Sequence, residues 1–168
     1  MNLNIEVPIL TKTGKNIEED IKVLSSTDIV NLKQVQAIRN AVKEHLLFIG
    51  LDRGNNIRNI SILGIGSNCE VLVDSKDIIR TALLSCSERV VLVHNHPSNS
   101  LEPSNADIHI TNITNNLLKT FYIELLDHIF VRFSSFSLLF CSFSISCFNF
   151  KFSSYKNCFS TLFISSFI

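Results

Sequence analysis

Two histidines one residue apart, His94-Asn95-His96, end an apolar run that begins Arg89-Val90-Val91-Leu92-Val93. Side chains alternate across a strand, so both imidazoles project to one face. Imidazole is a good zinc ligand, and two on one face just beyond a buried strand form a ready ligand pair. A third donor follows at Asp107, in the first turn of a helix that Ser104 can cap. Asp107 shares a helical face with Ile110, Leu118 and Phe121. That face is expected to look toward the sheet, and so toward the histidines. A carboxylate buried against a core costs several kcal/mol unless it is paired or bound to a cation. A zinc ion would be such a partner. Three protein ligands leave a fourth position for water, the catalytic rather than the structural arrangement. Plainer readings stand beside these. Histidines occur where strands meet loops, and Ser104-x-x-Asp107 is also a capping box that needs no metal.

The elements that must position these residues are legible from periodicity. Ser26 or Thr27 is expected to cap a helix, with Asp28 in its first turn, and Leu32, Val35, Ile38 and Val42 continue at helical spacing. A shorter helix is expected over 16–24. The unbroken apolar run 46–51 suits a strand buried on both faces. Residues 52–56 (DRGNN) are a turn by composition, and 57–63 a second strand that closes a hairpin. Gly64-Ile65-Gly66-Ser67-Asn68 is a loop that lacks the third glycine and the Lys-Ser/Thr of a phosphate cradle. A short strand is expected over 70–73, then a helix capped by Asp74 or Ser75 and running to about residue 85. Pro97 stops the strand that carries the histidines. The Ser104 helix should run to about residue 121, and a last strand should span 123–131. This order predicts a mixed-sheet α/β domain with helices packed on the sheet.

His-x-His-x7-Ser-x-x-Asp, present as His94, His96, Ser104 and Asp107, resembles the signature of the JAMM/MPN zinc metalloproteases. The run His94-Asn95-His96-Pro97-Ser98 with Pro103-Ser104 and Asp107 is similar to their RadC-like branch. Ser26-Thr27-Asp28-Ile29, Ile62-Leu63-Gly64-Ile65-Gly66, Asp74-Ser75-Lys76-Asp77-Ile78 and Leu126-Asp127-His128-Ile129 extend the similarity over 26–131. The resemblance implies a cytidine-deaminase-like fold, one Zn2+ per chain held by His94, His96 and Asp107, and hydrolysis of a peptide or isopeptide bond. Zinc lowers the pKa of water, and a glutamate relays the proton to the leaving amine. The matching glutamate is Glu44, just before the first buried strand. Ser104 matches the serine that supports the oxyanion. Glu44 also reads as a solvated residue at a helix end. Asp127 and His128 read either as site lining or as a hydrogen-bonded pair at a strand end, and His45 and His109 as surface or supporting residues. Two features depart from the branch. Asn99 stands where it usually has glycine. After Val131 the branch's glycine turn and final strand are not recognisable. A metal-free binding module and a DNA-repair-associated accessory protein are the alternative functions.

The whole chain of 168 residues bounds these readings to one domain. All 15 acidic residues lie at or before Asp127, whereas Arg132, Lys151 and Lys156 follow; residues 1–131 therefore hold 12 of the 15 basic residues and a net charge of −3. That balance speaks against direct nucleic-acid binding. Five cysteines at irregular spacing, none in a CxxC pair, make a poor disulfide framework, and Cys69 and Cys86 read as buried small hydrophobes. With no basic and apolar leader at the start, a reducing cytoplasm is expected. Residues 1–25 read as a lead-in, 26–131 as the domain and 132–168 as a tail. The tail holds ten of the 13 Phe and no acid. Residues 133–150 are uncharged, but their six serines and aperiodic apolar positions argue against a membrane span. Phe, Ser, Ile, Leu and Cys share T-rich codons, so the tail reads as translation out of the normal frame.

Overall fold

The structure is a computed structural model that describes residues 21–39, 41–66, 73–97, 102–132 and 135–139. Its first helix, α1 (Ser26–Val30), is capped by Ser25 rather than by Ser26 or Thr27. The Ser25 hydroxyl accepts from the Asp28 amide, while the Asp28 carboxylate accepts from the Ser25 amide at 2.8 Å. The chain breaks at Asn31, and α2 (Lys33–Arg39) follows. The Gln36 side chain donates to the Val30 carbonyl at 2.7 Å and so satisfies an acceptor that the break leaves open. Leu32, Val35 and Ile38 are buried, but Val42 lies beyond the helix and is 78% exposed. The helical period thus ends one turn earlier than expected. The expected helix over 16–24 is not continued at 21–24, where Lys22 bridges to Asn56 and Val23 donates to the Asn55 carbonyl.

Strands β1 (His45–Leu51) and β2 (Ile57–Ile65) form the hairpin. Asn55 turns it at φ 65, a left-handed conformation that asparagine tolerates. Helix α3 (Ser75–Leu84) is capped by Asp74, and β3 (Arg89–Asn95) carries the first histidine. Helix α4 (Asn105–Thr120) crosses over to β4 (Glu124–Arg132), which lies parallel to β3. A crossover helix is what a parallel pair requires.

The sheet order is β2-β1-β3-β4-β5, with every neighbouring pair antiparallel except β3 and β4. The mixed α/β architecture is therefore as expected. The fifth strand was not. β5 (Ser135–Leu139) pairs with β4 from Arg132↔Ser135 to His128↔Leu139, inside the segment assigned to the tail. Its sequence, Ser-Phe-Ser-Leu-Leu, carries a short alternation that the Phe/Ser composition of the tail obscured.

Helices cover both faces. Ile29, Val30, Leu32, Val35 and Ile38 pack with Leu47, Ile49, Val91, Val93 and Ile129 on one. Ile78, Ala82 and Leu118 pack with Leu46, Phe48, Val90 and Leu92 on the other. β1 is buried on both sides, as its unbroken apolar run predicts. Phe121, expected on the buried face of α4, is instead its C-cap and 48% exposed. Cys86 is exposed rather than buried. The expected strand over 70–73 falls almost wholly outside the described residues, and Asn99, Cys69 and residues 140–168 lie outside them altogether.

Candidate metal centre

Strand alternation sorts the residues at the top of β3. Val91 and Val93 belong to the α1/α2 face, while Val90 and Leu92 belong to the α3/α4 face. His94 therefore faces α4, and Asn95 faces the other way. The same rule applies to β1. Leu46 and Phe48 face α3 and α4, so Glu44, two residues earlier, falls on their side. Glu44 lies in no helix and is buried at 6% exposure, so the reading of a solvated helix end does not hold.

Helix α4 brings the remaining carboxylate. Ser104 caps it, and Asp107, Thr111, Thr114 and Leu118 form its buried stripe at spacings of three and four. Asp107 Oδ1 lies 3.0 Å from His94 Nδ1, and Asp107 Oδ2 lies 3.5 Å from His96 Nε2. On the other edge of the same ring, His94 Nε2 lies 3.7 Å from Glu44 Oε2. Ligand atoms of Glu44, His94 and His96 fall within 4.8 Å of one another. All four residues are buried. The structure thus brings together His94, His96, Asp107 and Glu44.

His94 Nδ1 is close to Asp107, yet neither His94 nitrogen has an aligned hydrogen-bond partner among the described residues. Buried polar atoms are almost always paired. Ligand atoms that lie close together but are not aligned on one another suit a common third centre. Two imidazoles and a carboxylate are also a donor set that suits zinc. The carboxylates face opposite nitrogens of one ring, so a single ion engages His94 through only one. Asp107 approaches both histidines, while Glu44 shares a ligand-sized space with the same two.

Burial works against the Asp107 carboxylate, but His94, His96 and the Ser104 hydroxyl outweigh it and hold its pKa far below the ordinary value. The Ser104 hydroxyl donates to Asp107 Oδ2 at 2.7 Å and accepts from the Asp107 amide at 3.1 Å. The capping box is therefore real, and Ser104 sits beside the site while serving it.

His128 belongs to the site's wall. Its ring is parallel to that of His94 within 8°, with centroids 6.0 Å apart. Phe130 packs against His94, His96 and His128. Thr111 donates its hydroxyl proton to the Asp107 carbonyl, so its oxygen accepts from His128 Nδ1 at 2.7 Å. With that direction His128 carries its proton on Nδ1. Burial, then the neighbouring His94, lowers the His128 pKa to about 3 and keeps the ring neutral. Asp127 does not share this wall. It lies past a register shift in the β3–β4 pairing, and its carboxylate accepts from the His128 amide at 2.8 Å. His45 is half-buried, with Nδ1 against the Lys43 carbonyl, and His109 is exposed. Thr111 and Asn95 escaped the sequence reading. Thr111 is one turn beyond Asp107 and Asn95 lies between the histidines, so spacing marks both positions but not their roles.

A family model described as a RadC-like JAB domain matches residues 23–142, more than half of the chain. The chain belongs to the RadC-like JAB family. Its relatives include a UPF0758 protein of Pelodictyon phaeoclathratiforme, 32% identical over 110 residues, which cover 59% of this chain and 50% of that protein. A UPF0758 protein of Clostridium acetobutylicum is 35% identical over 113 residues, covering 67% of this chain and 49% of that protein. One from Methanosarcina mazei is 32% identical over 115 residues, covering 68% and 50%. This RadC-like chain thus spans about half the length of the curated relatives it matches. The family match extends past Val131 and takes in β5.

Proposed function

We propose that this RadC-like JAB domain is a zinc-dependent amide hydrolase of the metallopeptidase or isopeptidase type, acting on a protein or peptide. The observation that carries the reading is the convergence of His94, His96 and Asp107, with both His94 nitrogens buried and unaligned to any hydrogen-bond partner among the described residues. Bound zinc would supply Lewis acidity, acidifying water and polarising the scissile carbonyl. Glu44 is the general base and then the acid. Its burial beside His94, with Oε2 3.7 Å from Nε2, supports that role, and Asp107 rather than Glu44 is taken as the carboxylate ligand because it approaches both histidines. Thr111 and His128 buttress Asp107 from behind, since the Thr111 hydroxyl ties the first turn of α4 to β4.

The commitment of the Ser104 hydroxyl to Asp107 favours a second reading, a metal-holding binding module without turnover. Oxyanion support requires that hydroxyl to turn away from the carboxylate. Direct nucleic-acid binding is outside the proposal, because residues 1–131 carry a net charge of −3. Among the described residues no helix is long and apolar enough to cross a membrane.

Zinc content of the full-length chain tests the centre. About one ion per chain is expected, with most of it lost in Asp107→Ala. Peptide and isopeptide hydrolysis then separates the two readings. Glu44→Gln should keep its zinc and lose on the order of 10²-fold or more in turnover. Zinc without any hydrolysis selects the binding module, and a folded chain without zinc sinks the hydrolase.

A further inference from the structure

Backbone pairing between β1 and β3 ends at Leu46↔His94. One more step of an antiparallel ladder would set His45 against Asn95, but no backbone pair forms there. On its other edge β3 stays paired with β4 through Asn95↔Val131, and the His96 amide donates to the Val131 carbonyl at 3.3 Å. The Asn95 side chain continues the lost ladder. Its Oδ1 accepts from the His45 amide at 2.7 Å, and its Nδ2 donates to the Lys43 carbonyl at 3.0 Å and reaches the Ala41 carbonyl at 3.5 Å. A carboxamide has the acceptor and the donor of a peptide group, so it can stand in for one. Asn95 is 1% exposed, and its contacts bracket Glu44 from both sides in sequence. From the far side, the Gly66 amide donates to the Glu44 carbonyl at 2.8 Å.

We infer that Asn95 is a positioning residue that sets the Glu44 carboxylate against His94 through the backbone of residues 43–45. It faces away from His94, so it touches neither an ion nor a substrate there and acts only through the chain it holds. The inference rests on the hydrolase reading for why that setting matters. The neighbouring elements explain why side chain and not backbone does this work. Glu44 is reached from a loop, not from a strand, and a loop holds position to sub-ångström precision only when its backbone is tied down.

The experiment is a double-mutant cycle read by imidazole ¹⁵N resonances of the full-length, metal-free chain at one fixed pH. In the parent, Glu44→Gln should displace the His94 Nε2 resonance, because the carboxylate lies next to it. In Asn95→Leu, which keeps the size and removes both polar functions, that displacement should fall at least twofold. The Phe130 and Leu118 core resonances should stay in place. A merely structural Asn95 would lower stability and leave the Glu44→Gln displacement at its parental size, which overturns the inference. No displacement in the parent overturns it as well. If Asn95→Leu does not fold, Asn95→Asp, which keeps the acceptor and loses the donor to Lys43, is read by the same criterion. Zinc titration of the parent is a separate arm. A parent that takes up no zinc removes the hydrolase reading and leaves the coupling result standing, since that result needs no metal.

Discussion

Asp127 and His128 are neighbours on β4 whose ionisation burial opposes in opposite directions along the pH scale. Burial pushes the Asp127 carboxyl from its ordinary 3.8 up to about 8, against the stabilising amide of His128. Between those values the folded chain keeps a proton that the unfolded chain has released, so this carboxyl lowers stability as pH rises through that window. Burial takes His128 from 6.5 down to about 3. There the unfolded chain gains a proton that the folded one refuses, so stability falls as pH drops from 6.5. Asp127→Asn keeps an acceptor for the His128 amide and has nothing to ionise. It should be more stable than the parent at pH 8 by roughly 1–3 kcal/mol, with the difference vanishing near pH 4. Thermal melting at the two pH values measures this; a variant that melts below the parent at pH 8 would show that the carboxyl is not held neutral.

Single contacts shape helix α4 and strand β1 locally. Helix α4 starts where Ser104 caps it, and the same cap holds the Asp107 carboxylate at 2.7 Å. Ser104→Ala should cost about 1 kcal/mol in chemical denaturation and also weaken zinc binding, whereas Ser104→Thr should keep most of both. An effect on stability alone would separate the cap from the site. In the middle of β1, Gly50 lies under Ser87. A Cβ there would sit 2.9 Å from Phe48 Cε1 and closer still to Ser87 Oγ. Gly50→Ala should therefore lose roughly 1–3 kcal/mol. Adding Ser87→Ala should recover part of the loss but not all, because the Phe48 contact remains. Equal stability of the single and double variants would mean that Ser87 is not the obstruction.

At the scale of the molecule, the sheet closes on the β4 side with β5. A chain cut after Arg132 exposes the β4 edge from His128 to Arg132, next to the strand residues that wall the candidate metal site. It should melt several degrees below the full chain and bind zinc less tightly. A chain cut after Ser142 keeps β5 and should match the full chain in both, since the family match ends there. If both cuts behave alike, β5 carries no stability. An unpaired edge is also an aggregation risk, so light scattering on heating should separate the two cuts.

Residue chemistry and periodicity, both local, were enough to mark His94, His96 and Asp107 as candidates, and to give the cap at Ser104, the buried β1 and the mixed α/β order. A capping box involves residues three apart, and a buried strand announces itself by composition, so no distant contact is needed to see either. The limits of α1, α2 and β5 were misjudged because tertiary contacts override period and composition there. Gln36 reaches back over the break after Val30, and β5 gains its partner only from β4. The arrangement around Glu44 was decided by the tertiary structure alone. Asn95 and the loop it holds are about fifty residues apart in sequence, and Thr111 meets His128 only because α4 crosses back over the sheet. A side chain standing in for a peptide group leaves no period in the sequence. Only the strand pairing that brings His94 to Leu46 decides that Asn95 must do it.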